Sequence, residues 1–226
     1  MIKLTPRLQA VCDMVPEGAK VADIGADHGY VSIYLIESGR ASSAIAMDVN
    51  KGPLERANAN IEAAGLKDVI KTRLSDGADE LESGEADTLL IAGMGARLMC
   101  DILSRALSDK VIKTLVLSPH SEVFLIREFL RMAGFTITDE DMVIDEGKYY
   151  PVILAVRDGE KADMVDITLE DEFGPVLLKK RPEAFESFLL KEKTKTEEII
   201  KKVTSEEKRD ELKGYLELVT KAVNYK

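Results

Sequence analysis

The chain has 226 residues, of which 45% are hydrophobic and 32% charged, enough for one sizeable core and a small second unit. Its formal net charge of -10 argues against a protein held to nucleic acid by a general basic surface. No apolar run approaches the roughly 18 residues of a membrane span, and two cysteines, Cys12 and Cys100, make no disulfide framework.

The opening Met1-Ile2-Lys3-Leu4-Thr5-Pro6 carries no secretory h-region, so the expected location is the cytoplasm. Thr5-Pro6 reads as an N-cap followed by proline at the first helical position. Leu8, Val11, Cys12 and Val15 recur at helical spacing, predicting a helix over 5–15 that Pro16-Glu17-Gly18 ends. A buried strand over Lys20–Ile24 follows, then a glycine-bearing turn and a helix from about His28 to Ser38. Ala44–Asp48 predicts a second strand, 53–64 a helix stopped by Gly65, and Val69–Leu74 a third strand. A fourth strand, Asp87–Ala92, runs into Gly93-Met94-Gly95 and a helix carrying Leu98, Met99, Ile102, Leu103 and Leu107. The fifth strand, Thr114–Leu117, stops at Ser118-Pro119-His120 before a helix over 121–133.

Alternation then ceases. Phe135–Ile144 and Val152–Arg157 read as two strands joined by a connection too short for a crossover helix, hence antiparallel. The pattern predicts an α/β fold, a seven-stranded doubly wound sheet closed by antiparallel pairing. The tail is helical, with a short helix over Leu169–Lys180, a break at Arg181-Pro182, and two longer helices forming an antiparallel hairpin. Phe185, Phe188, Leu189, Ile199, Ile200 and Val203 line the first long helix. Leu212, Tyr215, Leu216, Val219 and Val223 line the second. The organisation expected is one sheet domain over 1–160 and one helical domain over 161–226. Up to residue 160 there are 17 basic against 26 acidic residues, and beyond it 14 against 15.

Open α/β sheets bind ligands outside the carboxyl ends of their strands. There the first turn holds only Gly25 and Gly29, without the third glycine of the dinucleotide fingerprint. An acid at the strand end, Asp23, suits a ligand carrying a cation, and S-adenosylmethionine has both a sulfonium and an α-ammonium group. Asp48 is placed to accept both hydroxyls of a ribose, although a capping acid reads the same way. Asp76-Gly77 suits an adenine amino group or a plain turn. Gly93-Met94-Gly95 clears a passage for an acceptor or packs helix on strand. At the same mouth Asp27 and His28 can orient an amine and Tyr30 can stack on a base, while His28 also fits an ordinary helix start. Two histidines and two distant cysteines give no metal spacing, so no metal is expected. Lys179-Lys180-Arg181, Lys191-Lys193-Lys195 and Lys201-Lys202 are phosphate contacts or solvated helix faces.

Several segments occur in a telling order. They are Leu4-Thr5-Pro6-Arg7-Leu8, Val21-Ala22-Asp23-Ile24-Gly25-Ala26-Asp27-His28-Gly29-Tyr30, Asn50-Lys51-Gly52-Pro53-Leu54 and Ile91-Ala92-Gly93-Met94-Gly95. Glu146-Gly147-Lys148-Tyr149-Tyr150 and Phe173-Gly174-Pro175 follow. Together they resemble the bacterial tRNA (adenine(22)-N(1))-methyltransferase family over nearly the whole chain. The resemblance implies a Rossmann-like class I methyltransferase domain with a coiled-coil-like helical domain that helps hold tRNA. It implies S-adenosyl-L-methionine bound by Asp23, Gly25, Ala26, Asp27, His28, Asp48, Val49, Asp76, Gly77, Ala92 and Gly93. Asp27, His28, Tyr30 and Met94 are then the candidate catalytic residues. Arg7, Ser118, His120, Lys179, Lys180 and Arg181 are the candidate tRNA contacts. Asp48 replaces the family's usual glutamate, Ser118-Pro119-His120 its usual Gln-Pro-Asn, and Ala96 a second glycine. The implied reaction is methylation of adenine N1 in tRNA, by a monomer or weak dimer. Other readings left by the residues are a methyltransferase for a protein or small molecule, and a non-catalytic ligand- or RNA-binding module.

Overall fold

Apolar residues run almost without interruption along the central strands, and successive residues pack in two different layers. The computed structural model describes residues 2–109, 111–159 and 167–225. Its sheet contains β1 (Ala19–Ile24), β2 (Ala41–Asp48), β3 (Ile70–Leu74), β4 (Thr88–Ala92), β5 (Thr114–Ser118), β6 (Phe135–Asp145) and β7 (Lys148–Arg157). Ala22, Ile24, Ile45, Met47, Leu89, Ile91, Leu115 and Leu117 face α4 (Ala96–Asp109) and α5 (Val123–Ala133). Val21, Leu90 and Val116 face α1 (Pro6–Asp13) and α2 (Tyr30–Glu37), and Ala44 and Ala46 face α3 (Lys51–Ala63). The doubly wound sheet predicted from the alternation is the one observed.

Strand order is β3-β2-β1-β4-β5-β7-β6, with β1 to β5 mutually parallel and β7 antiparallel to both its neighbours. The last strand in sequence therefore lies inside the sheet, and β6 takes the edge. The loop expected over 145–151 is instead a two-residue turn. Glu146 and Gly147 have φ of 48° and 74°, the doubly positive geometry that matches hairpin twist. Only Ile153–Val156 of β7 pair with β5, so its first residues overhang the carboxyl end of the sheet.

A register shift between Ile137 and Asp139 inserts one extra residue into β6. It moves Glu140 and Met142 onto the face of Ile153 and Ala155. Glu140 is thereby fully buried, and its carboxylate accepts from Arg127 Nε of α5 at 2.9 Å. The same carboxylate accepts from the backbone N–H groups of Val176 and Leu177, and Arg127 donates to the carbonyls of Asp171 and Glu172.

This clasp also corrects the helix expected over 169–180, which is split into α6 (Leu169–Phe173) and α7 (Leu177–Lys180). Gly174 separates them at φ 94°, ψ 124°, where any side chain would collide with the Glu140 carboxylate. Beyond lies the expected hairpin of α8 (Glu183–Lys202) and α9 (Glu206–Val223). Phe173, Leu177, Leu178, Phe185, Leu189, Val219 and Ala222 bury one core together with Met142 of β6. The apolar stripe predicted for α8 does not stay buried to its end, since Ile199 is 40% exposed. The boundary expected at 160/161 lies outside the described residues. Among the described residues no helix is long and apolar enough to cross a membrane, and no His/Cys/Asp/Glu group is arranged for a metal.

Candidate active site

Each parallel strand delivers its last residue to one end of the sheet, where a cleft of about 350 Å³ opens. It is lined by Arg7 and Leu8 of α1, Asp23 of β1, residues 25–28, Tyr30 and Val31, and Leu90, Ala92, Gly93 and His120. Asp23 belongs to the parity facing α1 and α2. It is 4% exposed, and Ser32 Oγ of α2 donates to its Oδ2 at 2.8 Å. Burial pushes its carboxyl up to about 6, against the lowering effect of the Ser32 hydrogen bond.

The turn after β1 is built without side chains where the floor must be flat. Gly25 has φ 78°, and a Cβ there would meet Met94 Cε at 2.5 Å. Its N–H and that of Ala26 both donate to Met47 O, tying the turn to the end of β2. The helix predicted to start at His28 starts instead at Tyr30, after a short 3-10 turn over Asp27–Gly29. His28 has φ 63°, a left-handed conformation uncommon for a non-glycine residue. Asn60 Nδ2 donates to its carbonyl at 2.9 Å, and its ring stacks on Tyr30 at 5.3 Å and 12°. Asp27 Oδ1 accepts from Arg56 at 3.0 Å while Oδ2 lies 3.6 Å from His28 Nε2. Asp27, His28 and Tyr30 therefore form one mouth.

Opposite them, Gly93 (φ 91°) receives two cationic or donor side chains. A Cβ at this position would meet Arg7 Nη1 at 3.2 Å and His120 Nε2 at 3.4 Å. Arg7 Nη1 is fully buried and has no hydrogen-bond partner among the described residues. Tyr150 of β7 explains how the pair is held. The Arg7 guanidinium lies 5.1 Å from its ring centroid, and His120 packs edge-on at 5.7 Å. Sequence reasoning missed Tyr150, as well as the walls Leu8, Val31 and Leu90. The signal for Tyr150 was present as the Lys148-Tyr149-Tyr150 run, but its destination depends on the hairpin register.

Other predicted residues lie beside the cleft rather than on its wall. Asp48 closes β2, and its Oδ1 accepts from Asn50 N at 2.7 Å; Val49 next to it is 60% exposed. Asp76 Oδ1 pairs with Arg105 at 3.1 Å, and Gly77 (φ 59°) packs on Ile102. Met94 lies across Gly25 and is partly buried in the core. Ser118 is wholly buried, its Oγ unpartnered among the described residues and its carbonyl accepting from Gly93 N.

The basic run of the tail is apart from the cleft and is mostly committed. Arg181 binds Glu186 through Nε and Nη2 and donates to Ala222 O and Val223 O, closing the end of α9 onto the start of α8. Lys180 pairs with Asp139, whereas Lys179 is exposed and makes no ion pair among the described residues.

The residues present fit an α-amino-acid zwitterion. A buried carboxylate suits its ammonium, and a buried guanidinium nitrogen without a partner suits its carboxylate.

Comparison with known proteins adds identity to this geometry. A methyltransferase-domain family profile matches residues 4–153. The tRNA (adenine(22)-N(1))-methyltransferase of Bacillus subtilis (strain 168) is 32% identical, over 99% of this chain and 98% of that protein. The chain is similar to a Streptococcus pneumoniae protein solved with S-adenosyl-L-methionine, at TM-score 0.86 and 31% identity, covering 98% of this chain and 100% of that one. It is also similar to M. capricolum TrmK solved with S-adenosyl-homocysteine, at TM-score 0.86 and 25% identity, covering 98% of each chain.

Proposed function

We infer the activity from the premise that this chain belongs to the tRNA (adenine(22)-N(1))-methyltransferase family. It transfers a methyl group from S-adenosyl-L-methionine to N1 of adenine 22 in tRNA. The observation that carries the reading is the pairing, across one glycine-floored cleft, of buried Asp23 with the unpartnered Nη1 of Arg7.

The donor supplies a methyl on a sulfonium, already a good leaving group, so the protein's task is alignment and electrostatics. Asp23 takes the donor's ammonium, and Arg7, expected from the resemblance to contact tRNA, takes the donor's carboxylate instead. Gly25, Ala26 and Gly93, with Ala92, give close backbone approach. Asp48 and Val49 take the ribose. Asp76 can keep Arg105 on Oδ1 while Oδ2 accepts from the adenine amine, with Gly77 making room.

Adenine N1 normally faces its pairing partner, so the target base must leave the stack. The stacked His28–Tyr30 pair offers it a flat surface at the mouth. Methylation leaves the base cationic, and Asp27, 57% exposed and facing the same mouth, stabilises that charge. Met94 fixes the floor by covering Gly25, while Ser118 and His120 border the acceptor side. Lys179 is the tail's available phosphate contact, and Lys180 joins it by exchanging Asp139 for a phosphate. Arg181 supports them by holding the α8–α9 base. The enzyme acts in the cytoplasm as a monomer or weak dimer.

Incubation with methyl-labelled donor and unmodified total tRNA should label RNA, and mass spectrometry should place the methyl on N1 of adenine 22. Asp27→Ala should abolish transfer with the fold intact. Label absent from RNA, or appearing only in protein or small molecules, overturns the substrate.

A further inference from the structure

Two adjacent residues of one strand point to opposite faces of its sheet. In the overhanging start of β7 these are Tyr149 and Tyr150. Tyr150 backs two residues of the cleft wall, its ring lying under the Arg7 guanidinium at 5.1 Å and against His120 at 5.7 Å. Tyr149 faces the tail. Its hydroxyl is 2.9 Å from Ser187 Oγ of α8, its ring packs on Phe188 at 5.6 Å, and Lys191 Nζ lies 5.0 Å over it. On the other limb of the hairpin, Asp145 Oδ2 accepts from the backbone N–H of Arg7 at 3.3 Å. That N–H belongs to the first turn of α1, whose donors have no partner within the helix. The hairpin tip thus grips Arg7 at its backbone and at its guanidinium, and is itself seated on the tail.

We propose that Tyr150 is a positioning residue for the anion half of the donor site. Its ring holds the Arg7 guanidinium so that Nη1 stays over Gly93, ready for a carboxylate. The inference rests on the donor assignment given above and adds the element that orients it. An arginine side chain has four rotatable bonds and otherwise spends affinity on being ordered. The aromatic face removes much of that freedom while leaving Nη1 unpaired, because a cation–π contact uses no hydrogen-bond donor. The tyrosine hydroxyl has no hydrogen-bond partner among the described residues, so the ring and not the hydroxyl is the working part.

The test uses two ligands that differ by one group, S-adenosylmethionine and its decarboxylated form, with affinities measured by calorimetry on the full chain. The wild-type protein should prefer the carboxylate-bearing ligand by about 10- to 100-fold, the range expected of a charged hydrogen bond. Y150L should lose about tenfold of that preference, with little change for the decarboxylated ligand. Y150F should keep it. Should Y150L fail to fold, Y150M gives the same reading. A wild-type preference in Y150L, or equal weakening of both ligands, overturns the positioning role. A wild-type protein that binds both ligands equally removes the anion subsite, whereas one that binds neither removes the donor assignment itself.

Discussion

Asp23 joins the chemistry of the site to the energetics of the fold. Its carboxyl is pushed up to about 6 from 3.8 because burial removes water from the charged form and one hydrogen bond from Ser32 does not replace it. The native state therefore holds the proton more tightly than the unfolded chain. The stability this confers is complete below about pH 4 and is lost as the pH rises through 6. Asp23→Asn should accordingly raise unfolding stability at pH 7 by about 1–3 kcal/mol, visible in thermal melts. Binding has the opposite sign, since the donor's ammonium prefers the ionised carboxylate. Donor affinity should be about tenfold weaker at pH 5 than at pH 7, and Asp23→Asn should be weak at both. An affinity flat across that range in the wild-type protein would place the ammonium elsewhere.

At the scale of elements, the Arg127–Glu140 pair fastens α5, β6 and the α6–α7 turn into one unit. The two side chains are 3% and 0% exposed, and both are satisfied by further backbone partners. Such a pair adds little over a well-packed apolar substitute, but breaking it strands a buried charge. Glu140→Ala should cost about 3–5 kcal/mol in denaturant unfolding. Gly174→Ala should fail for a different reason, as it places a methyl against the same carboxylate at a backbone angle that only glycine tolerates. Both variants should lower stability, and R127M paired with E140L should recover only part of the loss from Glu140→Ala, because it removes the stranded charge but leaves the N–H groups of Val176 and Leu177 and the carbonyls of Asp171 and Glu172 without partners. Full recovery in that double variant would mean that these backbone hydrogen bonds contribute nothing to the clasp.

Across the whole molecule, a net charge of -10 leaves tRNA binding to local clusters. The base of the α8–α9 hairpin is locked into the core through Phe185, Leu189, Val219 and Ala222, and Lys179 stands exposed just before it. Lys179→Glu should weaken tRNA binding and reduce the slope of log affinity against log salt by about 1, while donor affinity stays constant. An unchanged slope would make Lys179 a solvated residue. Arg181→Ala should behave differently and lower the melting temperature, because its guanidinium caps the α9 carbonyls and pairs with Glu186.

The chain by itself determined the alternating elements, the doubly wound sheet and the end of it that carries the cleft. These follow from local period and turn chemistry: buried parallel strands read as short apolar runs, and Asp23, Gly25 and Gly93 must sit at their ends. It also carried the family resemblance, through the Asp27-His28-Gly29-Tyr30 turn and the Gly93-Met94-Gly95 loop. Where β7 inserts, how Glu140 enters the core and what Tyr150 touches were decided only in three dimensions. A single extra residue in β6 reverses which side chains face inward, and strand pairing across the sheet, not local pattern, fixes that register. The same holds for Arg181, whose sequence reads as a basic run and whose carbonyl partners, Ala222 and Val223, lie at the far end of α9. Period is a property of neighbours along the chain, whereas partnership between charged groups is a property of the folded contacts, and the latter decided which cations remain available for a ligand.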